Sequence, residues 1–275
     1  MIFRAGRSNL ACTIFVPFDC KNHCPFCTSK DMYGKIDKDL DKVISTIHTL
    51  NKSTFFSEYV LTGGEPTADL EGLKRIINAV EGCGEKKKKV FINTTLPKSD
   101  NLGEIIKYIN DEPKIAGVNI SRHIGWKFDR VASLTDIKKI KKPVRINTVI
   151  NKNFDFDKFL EFAEEYGGDN RLINLRADYT TINDLTLKNR DDICNKLLDV
   201  AYNIGNGGCM VCHENEFVYK DNIFISYHRG LQYSSFKIRD DLMFVNDIIV
   251  LPDGTVYPDW DFKTNEEFLG DLGLC

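Results

Sequence analysis

The sequence predicts an α/β fold of parallel strands joined by helical crossovers, built either as a doubly wound sheet or as a barrel. Residues 1–205 form this core, and residues 206–275 form a smaller β-rich extension. Three observations carry the reading. Strand-like apolar runs and amphipathic helical stretches alternate about six times between residues 10 and 205, the pattern of repeated βα units. Glycine or proline punctuates the ends of several of these helices. After Gly205-Asn206-Gly207-Gly208 the helices stop and only short strand-like runs follow.

The elements come in order. Ala11–Val16 (ACTIFV) reads as a buried strand. Asp39–Leu50 carries Leu40, Val43, Ile44, Ile47 and Leu50 at helical spacing. Tyr59–Thr62 is a short strand running into two glycines. Leu70, Leu73, Ile76, Ile77 and Val80 make the next helical face, which Gly82 and Gly84 stop. Val90–Thr95 is a strand, Asn101–Asn110 a helix broken by Pro113, and Ile115–Ser121 a strand. A helix is expected near Arg130–Ile140, a strand at Val144–Ile150, a helix at Phe156–Tyr166, a strand at Arg171–Ala177 and a helix at Asp191–Ile204. In the extension, Phe217–Tyr219, Ile223–Tyr227 and Asp247–Val250 read as strands, and Leu251–Pro258 (LPDGTVYP) carries an Asp-Gly hairpin signal.

Composition narrows the function classes. The formal charge is −3, without the basic surplus of a nucleic-acid binder, so no nucleic-acid partner is expected. The lysine runs Lys86–Lys89 and Lys138–Lys142 read as solvated turns or helix ends. No apolar run approaches membrane-spanning length and the N-terminal stretch lacks a signal-peptide layout, so no membrane association and a cytoplasmic location are expected. Nine cysteines in a chain of 275 residues do not suggest a disulfide framework there, and closely spaced ones call for a metal or a redox role.

Cys20, Cys24 and Cys27 supply that spacing, C-x3-C-x2-C, in a polar loop directly after a strand. Three thiolates suit zinc, with His23 as a fourth ligand, or a four-iron cluster with one iron left open. Downstream lies Leu61–Thr67, LTGGEPT. Gly63 and Gly64 at a strand end let the backbone approach a ligand, Glu65 adds a carboxylate, and Pro66 sets the exit toward the next helix. A zinc module has no use for this turn.

Cys20–Cys27 followed by Gly63-Gly64-Glu65-Pro66 resembles the radical S-adenosylmethionine (SAM) superfamily over most of residues 10–205. The resemblance implies a partial (β/α)6 barrel and a [4Fe–4S] cluster on Cys20, Cys24 and Cys27, with SAM on the fourth iron. It implies an external low-potential electron donor, a flavodoxin or ferredoxin. Reductive cleavage of SAM would then give a 5′-deoxyadenosyl radical that abstracts hydrogen from substrate. It also implies that Phe26 lies against the adenine, and that Asn93, Ser121, Asn147 and Arg176, at successive strand ends, join Gly63, Gly64, Glu65 and Pro66 in holding SAM.

The remaining cysteines carry less. Cys209 and Cys212 form a second C-x2-C, but Asp259 follows Pro258 where relatives with an auxiliary cluster have a cysteine. Substrate recognition is expected from His228 and Arg229, from Asp259, Trp260 and Asp261, and from Asp178 beside Arg176, with Phe18 and His123 at neighbouring strand ends. A tryptophan between two aspartates suits a flat heterocycle with a guanidine-like edge. With no obvious peptide-docking domain, no basic tRNA-binding face and a short extension, a small-molecule substrate is expected. Length, composition and the PDWDF tail are similar to queuine lyases, which would make the reaction C–N cleavage of queuine to preQ1. The alternatives are a 7-deazaguanine synthase, a peptide-modifying enzyme, a glycyl-radical activase and, outside enzymes, a zinc-binding module.

Overall fold

The computed structural model describes residues 2–5, 10–27, 29, 35–82, 87–126, 128, 130–178, 184–206, 214–228, 236–239, 242–245, 247–258 and 260. Within them the chain runs β1 (Ile2–Ala5), β2 (Ala11–Val16), α1 (Leu40–Asn51), β3 (Glu58–Gly63), α2 (Leu70–Ala79), β4 (Lys89–Thr94), α3 (Leu102–Asp111) and β5 (Ile115–Ser121). It continues through α4 (Leu134–Ile137), β6 (Val144–Ile150), α5 (Phe156–Tyr166), β7 (Arg171–Ala177), α6 (Asp184–Val200), β8 (Tyr202–Asn206), β9 (Glu214–Tyr219) and β10 (Ile223–His228). It closes with β11 (Phe236–Arg239), β12 (Leu242–Val245), β13 (Ile248–Val250) and β14 (Val256–Tyr257).

Strands β2 to β7 lie side by side in chain order, every pair parallel. A doubly wound sheet would reverse its strand order at a switch point. The unbroken order selects the other option, a partial (β/α)6 barrel. Residues from 202 onward add strands at both ends of this run. β13 pairs parallel with β2 and carries β14, while β10 pairs parallel with β7 and carries β9 and β8 antiparallel. A separate three-stranded sheet has the order β1-β12-β11.

Strand periodicity sorts the side chains into two layers. Cys12, Ile14, Val16, Tyr59, Leu61, Val90, Ile92, Val118, Ile120, Ile146, Ile173 and Leu175 are buried in the core cluster, which also takes Val43, Ile47, Leu73, Ile76, Ile105, Ile109, Phe159 and Ala163 from the helices. The alternate positions are largely polar, among them Thr62, Asn93, Asn119, Ser121, Asn147, Asn174 and Arg176. The face opposite the helices is therefore hydrophilic, and it is where chemistry can sit. Asp39, Asp69 and Asp155 cap α1, α2 and α5, accepting from Lys42 N, Gly72 N and Lys158 N at 2.9–3.0 Å.

Two expected helices differ in extent. α4 is one turn, opened by a capping box between Ser133 and Asp136, because Arg130 has φ +51° and Pro143 leads directly into β6. α6 starts at Asp184 and ends at Val200, and the expected tail at Tyr202–Ile204 is strand β8. There Tyr202 and Ile204 alternate with Asn203 and Gly205, a period of two that fits a strand. The Asp-Gly hairpin forms as expected, with Gly254 at φ +84° and Leu251 N donating to Thr255 O at 2.8 Å.

The first lysine run is not wholly solvated. Lys88 is 6% exposed, its Nζ donating to Leu50 O (2.9 Å) and Ser53 O (2.8 Å) and lying 3.6 Å from the centroid of Phe56. It satisfies carbonyls at the end of α1, where a cation is favoured. Burial holds its pKa down at about 8 instead of 10.5. Below about pH 8 the lysine is charged in both folded and unfolded chains, and the burial penalty is complete. As pH rises from 8 toward 10.5 the folded chain loses this proton first and the penalty is relieved. The melting temperature of the wild type relative to Lys88→Met is therefore expected to rise across that window; paired thermal melts at pH 7.5 and 10 check this, and a constant difference would contradict it.

Candidate functional site

The cysteine loop leaves the C-terminal end of β2, the same end at which β3 runs into Gly63 and Gly64. Gly63 has φ +99°, a conformation that requires glycine. Cys20, Cys24 and Cys27 are all partly buried. Burial, then the neighbouring Cys27 and Cys20, push the Cys24 thiol up to about 12, and burial raises Cys20 as well. The thiols are thus close enough to oppose one another's ionisation. Cys27 N donates to Cys24 O (3.1 Å), Cys27 Sγ lies 3.2 Å from Ser29 Oγ, and Asn22 Nδ2 donates to Thr95 Oγ1 (3.3 Å), tying the loop to the end of β4. His23 is exposed on this loop. Among the described residues, no group of three or more His, Cys, Asp or Glu side chains closes to the spacing of a single metal ion.

Phe18, expected at the substrate, lies in the core cluster. It is 8% exposed within the core, and a Cβ placed on Gly72 of α2 would come within 2.4 Å of its Cζ. Its role is to pin the start of the cysteine loop to α2, and the polar flanking sequence hid this. Gly72→Ala, despite the better helix propensity of alanine, is expected to cost about 1–3 kcal/mol by overpacking. Calorimetry of Gly72→Ala, alone and with Phe18→Leu, checks this: the double variant should recover part of the loss.

Glu65 is 2% exposed and is not a free acceptor. Its Oε1 accepts from Thr67 N (3.1 Å), Thr67 Oγ1 (2.7 Å) and Thr94 Oγ1, and its Oε2 from Thr95 N (2.8 Å) and Thr95 Oγ1 (2.7 Å). The carboxylate locks the end of β3 to the end of β4. It also caps the 3-10 turn Pro66–Ala68, in which Pro66 is buried at the first position. Arg122 extends the lock, donating from Nη1 to Thr95 O and Ser121 O (both 2.7 Å) and from Nη2 to Ala132 O (2.9 Å). Neither Arg122 nor the threonines stood out in the sequence, since their partners are set by strand adjacency.

Phe26 is buried, its ring 4.5 Å from His123 and 6.2 Å from Trp126, both edge-on. Trp126 also donates toward Cys24. Burial, helped by the charge of Arg122, holds the His123 pKa down at about 3. Its Nδ1 accepts from Val149 N at 3.1 Å, so the neutral ring carries its proton on Nε2. The polar face of the sheet carries two cross-strand amide pairs: Asn119 Nδ2 donates to Asn93 Oδ1 (2.6 Å) and Asn174 Nδ2 to Asn147 Oδ1 (2.7 Å). Ser121 ends β5, while Arg176 and Asp178 stand at the end of β7, both half-buried.

The expected substrate groups divide. His228 is buried, its Nε2 2.9 Å from Glu214 Oε1, which also accepts from Ser226 Oγ. Burial works against ionisation of Glu214, yet contact with His228 and Ser226 outweighs it and holds its pKa down at about 2. Trp260 Nε1 donates to Asp247 Oδ2 (3.1 Å) and its ring is edge-on to Phe15 at 5.6 Å. Asp247 in turn accepts from Thr13 Oγ1 (3.2 Å), so Trp260 and Asp247 are both tied to β2. Arg229, Asp259, Asp261, Cys209 and Cys212 lie outside the described residues.

No protein-family model and no curated protein matches the chain. Solved structures do match, and the class they define is the partial (β/α)6 barrel. Streptococcus suis SuiB bound to its precursor peptide SuiA has a TM-score of 0.61 at 12% identity, over 95% of this chain and 62% of that one. SuiB bound to S-adenosylmethionine has 0.58 at 15% identity, over 95% and 61%. The protein anSMEcpe with bound AdoMet and Cp18Cys peptide has 0.54 at 16% identity, over 94% and 76%. The chain spans about three fifths of SuiB, and at these identities the likeness is one of fold. Among the described residues no helix is long and apolar enough to cross a membrane.

Proposed function

We propose that the chain is a radical SAM enzyme acting on a peptide. The observation that carries the first half is the juxtaposition of three mutually interacting thiols on one loop with the Gly63–Pro66 turn at the adjacent strand end. The residues fit the group. Three soft donors and no fourth on the same loop suit a [4Fe–4S] cluster with one open iron, and Cys20, Cys24 and Cys27 would hold it. Gly63 and Gly64, with Asn93, Ser121, Asn147 and Arg176, would hold SAM, with Phe26 beside its adenine. When bound, the cluster and SAM together supply one-electron cleavage of a sulfonium C–S bond and hydrogen abstraction from substrate, the electron coming from a flavodoxin or ferredoxin.

The chain's own contribution is positioning and exclusion of water. Glu65 and Arg122 fix the ends of β3, β4 and β5, so the groups facing a cofactor do not reorganise on binding. Phe26, His123 and Trp126 wall the cysteine loop with rings, and the neutral His123 adds no charge there. Glu65 acts through the strand ends and not by direct contact.

A peptide substrate is favoured over queuine on two grounds. Two of the similar structures are peptide complexes. The Trp260 N–H, on the expected heterocycle platform, is used on Asp247 and its ring packs against Phe15, which leaves less of it for a ligand. The test is an anaerobic assay of the reconstituted protein with SAM and dithionite, offered capped peptide pools and, in parallel, 7-deazaguanines including queuine. The expected result is 5′-deoxyadenosine with a mass change in peptide. Conversion of queuine to preQ1, with peptides untouched, would overturn the substrate assignment and restore the lyase reading.

A further inference from the structure

The polar face of the sheet holds a second cluster, on β6, β7, β10 and β9, beyond the strand ends assigned to cofactor. β7 and β10 pair so that Ser226 stands opposite Asn174 and His228 opposite Arg176, and β9 sets Glu214 opposite His228. Asn174 is 1% exposed and His228 8%. The Asn174 amide nitrogen is used on Asn147 Oδ1, which leaves its Oδ1 buried without a partner. Glu214 Oε1 lies 2.9 Å from His228 Nε2, outside hydrogen-bond alignment, so both ring nitrogens are buried without an aligned partner; the adjacent carboxylate favours the proton on Nε2, which leaves Nδ1 with the lone pair.

Two orphaned acceptors on diagonal positions of neighbouring strands are unusual, because buried polar atoms almost always find partners. Both require N–H or O–H donors. Arg145 and Arg176 act electrostatically on His228, and Arg145 also on Glu214, which works against a cationic ligand here. A neutral group with two N–H donors on one atom meets both conditions.

We propose that Asn174 and His228, backed by Glu214 and Ser226, form a substrate-recognition site for a primary carboxamide, such as the side chain of asparagine or glutamine in a peptide. Asn174 Oδ1 and His228 Nδ1 take its two N–H bonds. This rests on the peptide reading given above, and it specifies which residue of the peptide is selected.

The test is fluorescence anisotropy with the anaerobically reconstituted full chain and SAM. The probes are fluorescein-labelled capped pentapeptides that differ only at the centre, Asn against Asp and Gln against Glu. At least one carboxamide peptide should bind about tenfold or more tightly than its acid counterpart. His228→Phe and Asn174→Leu, each checked for folding by melting, should lose that preference; where a variant does not fold, the wild-type discrimination alone decides. Equal binding of amide and acid, no binding of either up to the solubility limit, or a preference that persists in both folded variants would overturn the site. If the same preparation cleaves SAM yet shows no discrimination, this inference fails and the enzyme reading stands. If it cleaves no SAM, the enzyme reading fails whatever the peptides do.

Discussion

Glu65→Leu is expected to melt on the order of 10 °C below the wild type. The substitution keeps roughly the volume and removes a carboxylate that is 2% exposed and accepts five hydrogen bonds, two from backbone N–H groups and three from threonine hydroxyls. Some hydroxyls can turn to other acceptors, but the N–H groups of Thr67 and Thr95 cannot. Stranding buried donors of a charged acceptor costs about 3 kcal/mol or more, and each kcal/mol shifts the melting point of a chain this size by about 2–4 °C. Because β3 and β4 lose their clamp next to Gly63, SAM affinity should fall as well. Differential scanning calorimetry and equilibrium dialysis of SAM check the two effects. A Glu65→Leu protein with unchanged melting temperature and SAM affinity would show that the carboxylate does not hold the strand ends.

Cys24→Ala is expected to show the opposite split. Cys24 is partly buried on a loop, and its only described side-chain partners are the neighbouring thiols and Trp126, so the fold should lose no more than about 1 kcal/mol. Losing a cluster ligand should exceed the 10–100-fold effect typical of groups that only support ligands, which takes SAM cleavage to background. The visible absorption that fades on dithionite should go with it. Circular dichroism, iron and sulfide content and product analysis on one preparation separate the outcomes. Retained iron and sulfide would remove Cys24 from the ligand set.

The alternating strands and helices were legible because most strand positions facing the helices are apolar, from Ile14 to Leu175, with Thr94 and Thr148 as exceptions, and because glycine, proline or aspartate marks most helix ends. Strand order was not legible. The same alternation also fits a doubly wound sheet, and only the parallel registers decide. At the site, Cys20, Cys24, Cys27 and Gly63–Pro66 announce themselves by spacing within a few residues. The rest is built by contacts that cross strands. Asn119 and Asn174 are residue types that read as turn formers, yet they form amide pairs on the polar face. Glu214 reaches His228 through an antiparallel register that no local pattern encodes. Lys88, third in a run of four lysines, is buried while the run reads as solvated. Phe18 and Trp260 were expected to meet substrate, and no local pattern announces the contacts they make in space, with the α2 backbone at Gly72 and with Asp247.

The central claim is that the three-cysteine loop and the Gly-Gly-Glu-Pro turn together bring about reductive cleavage of SAM. Chromatographic measurement of 5′-deoxyadenosine, formed anaerobically from SAM and dithionite by reconstituted wild type and by Cys24→Ala, tests it most directly. The wild type is predicted to be brown and to form 5′-deoxyadenosine, and the folded variant to form none. Equal 5′-deoxyadenosine from both proteins, or a colourless wild type that binds one zinc and leaves SAM intact, would contradict it.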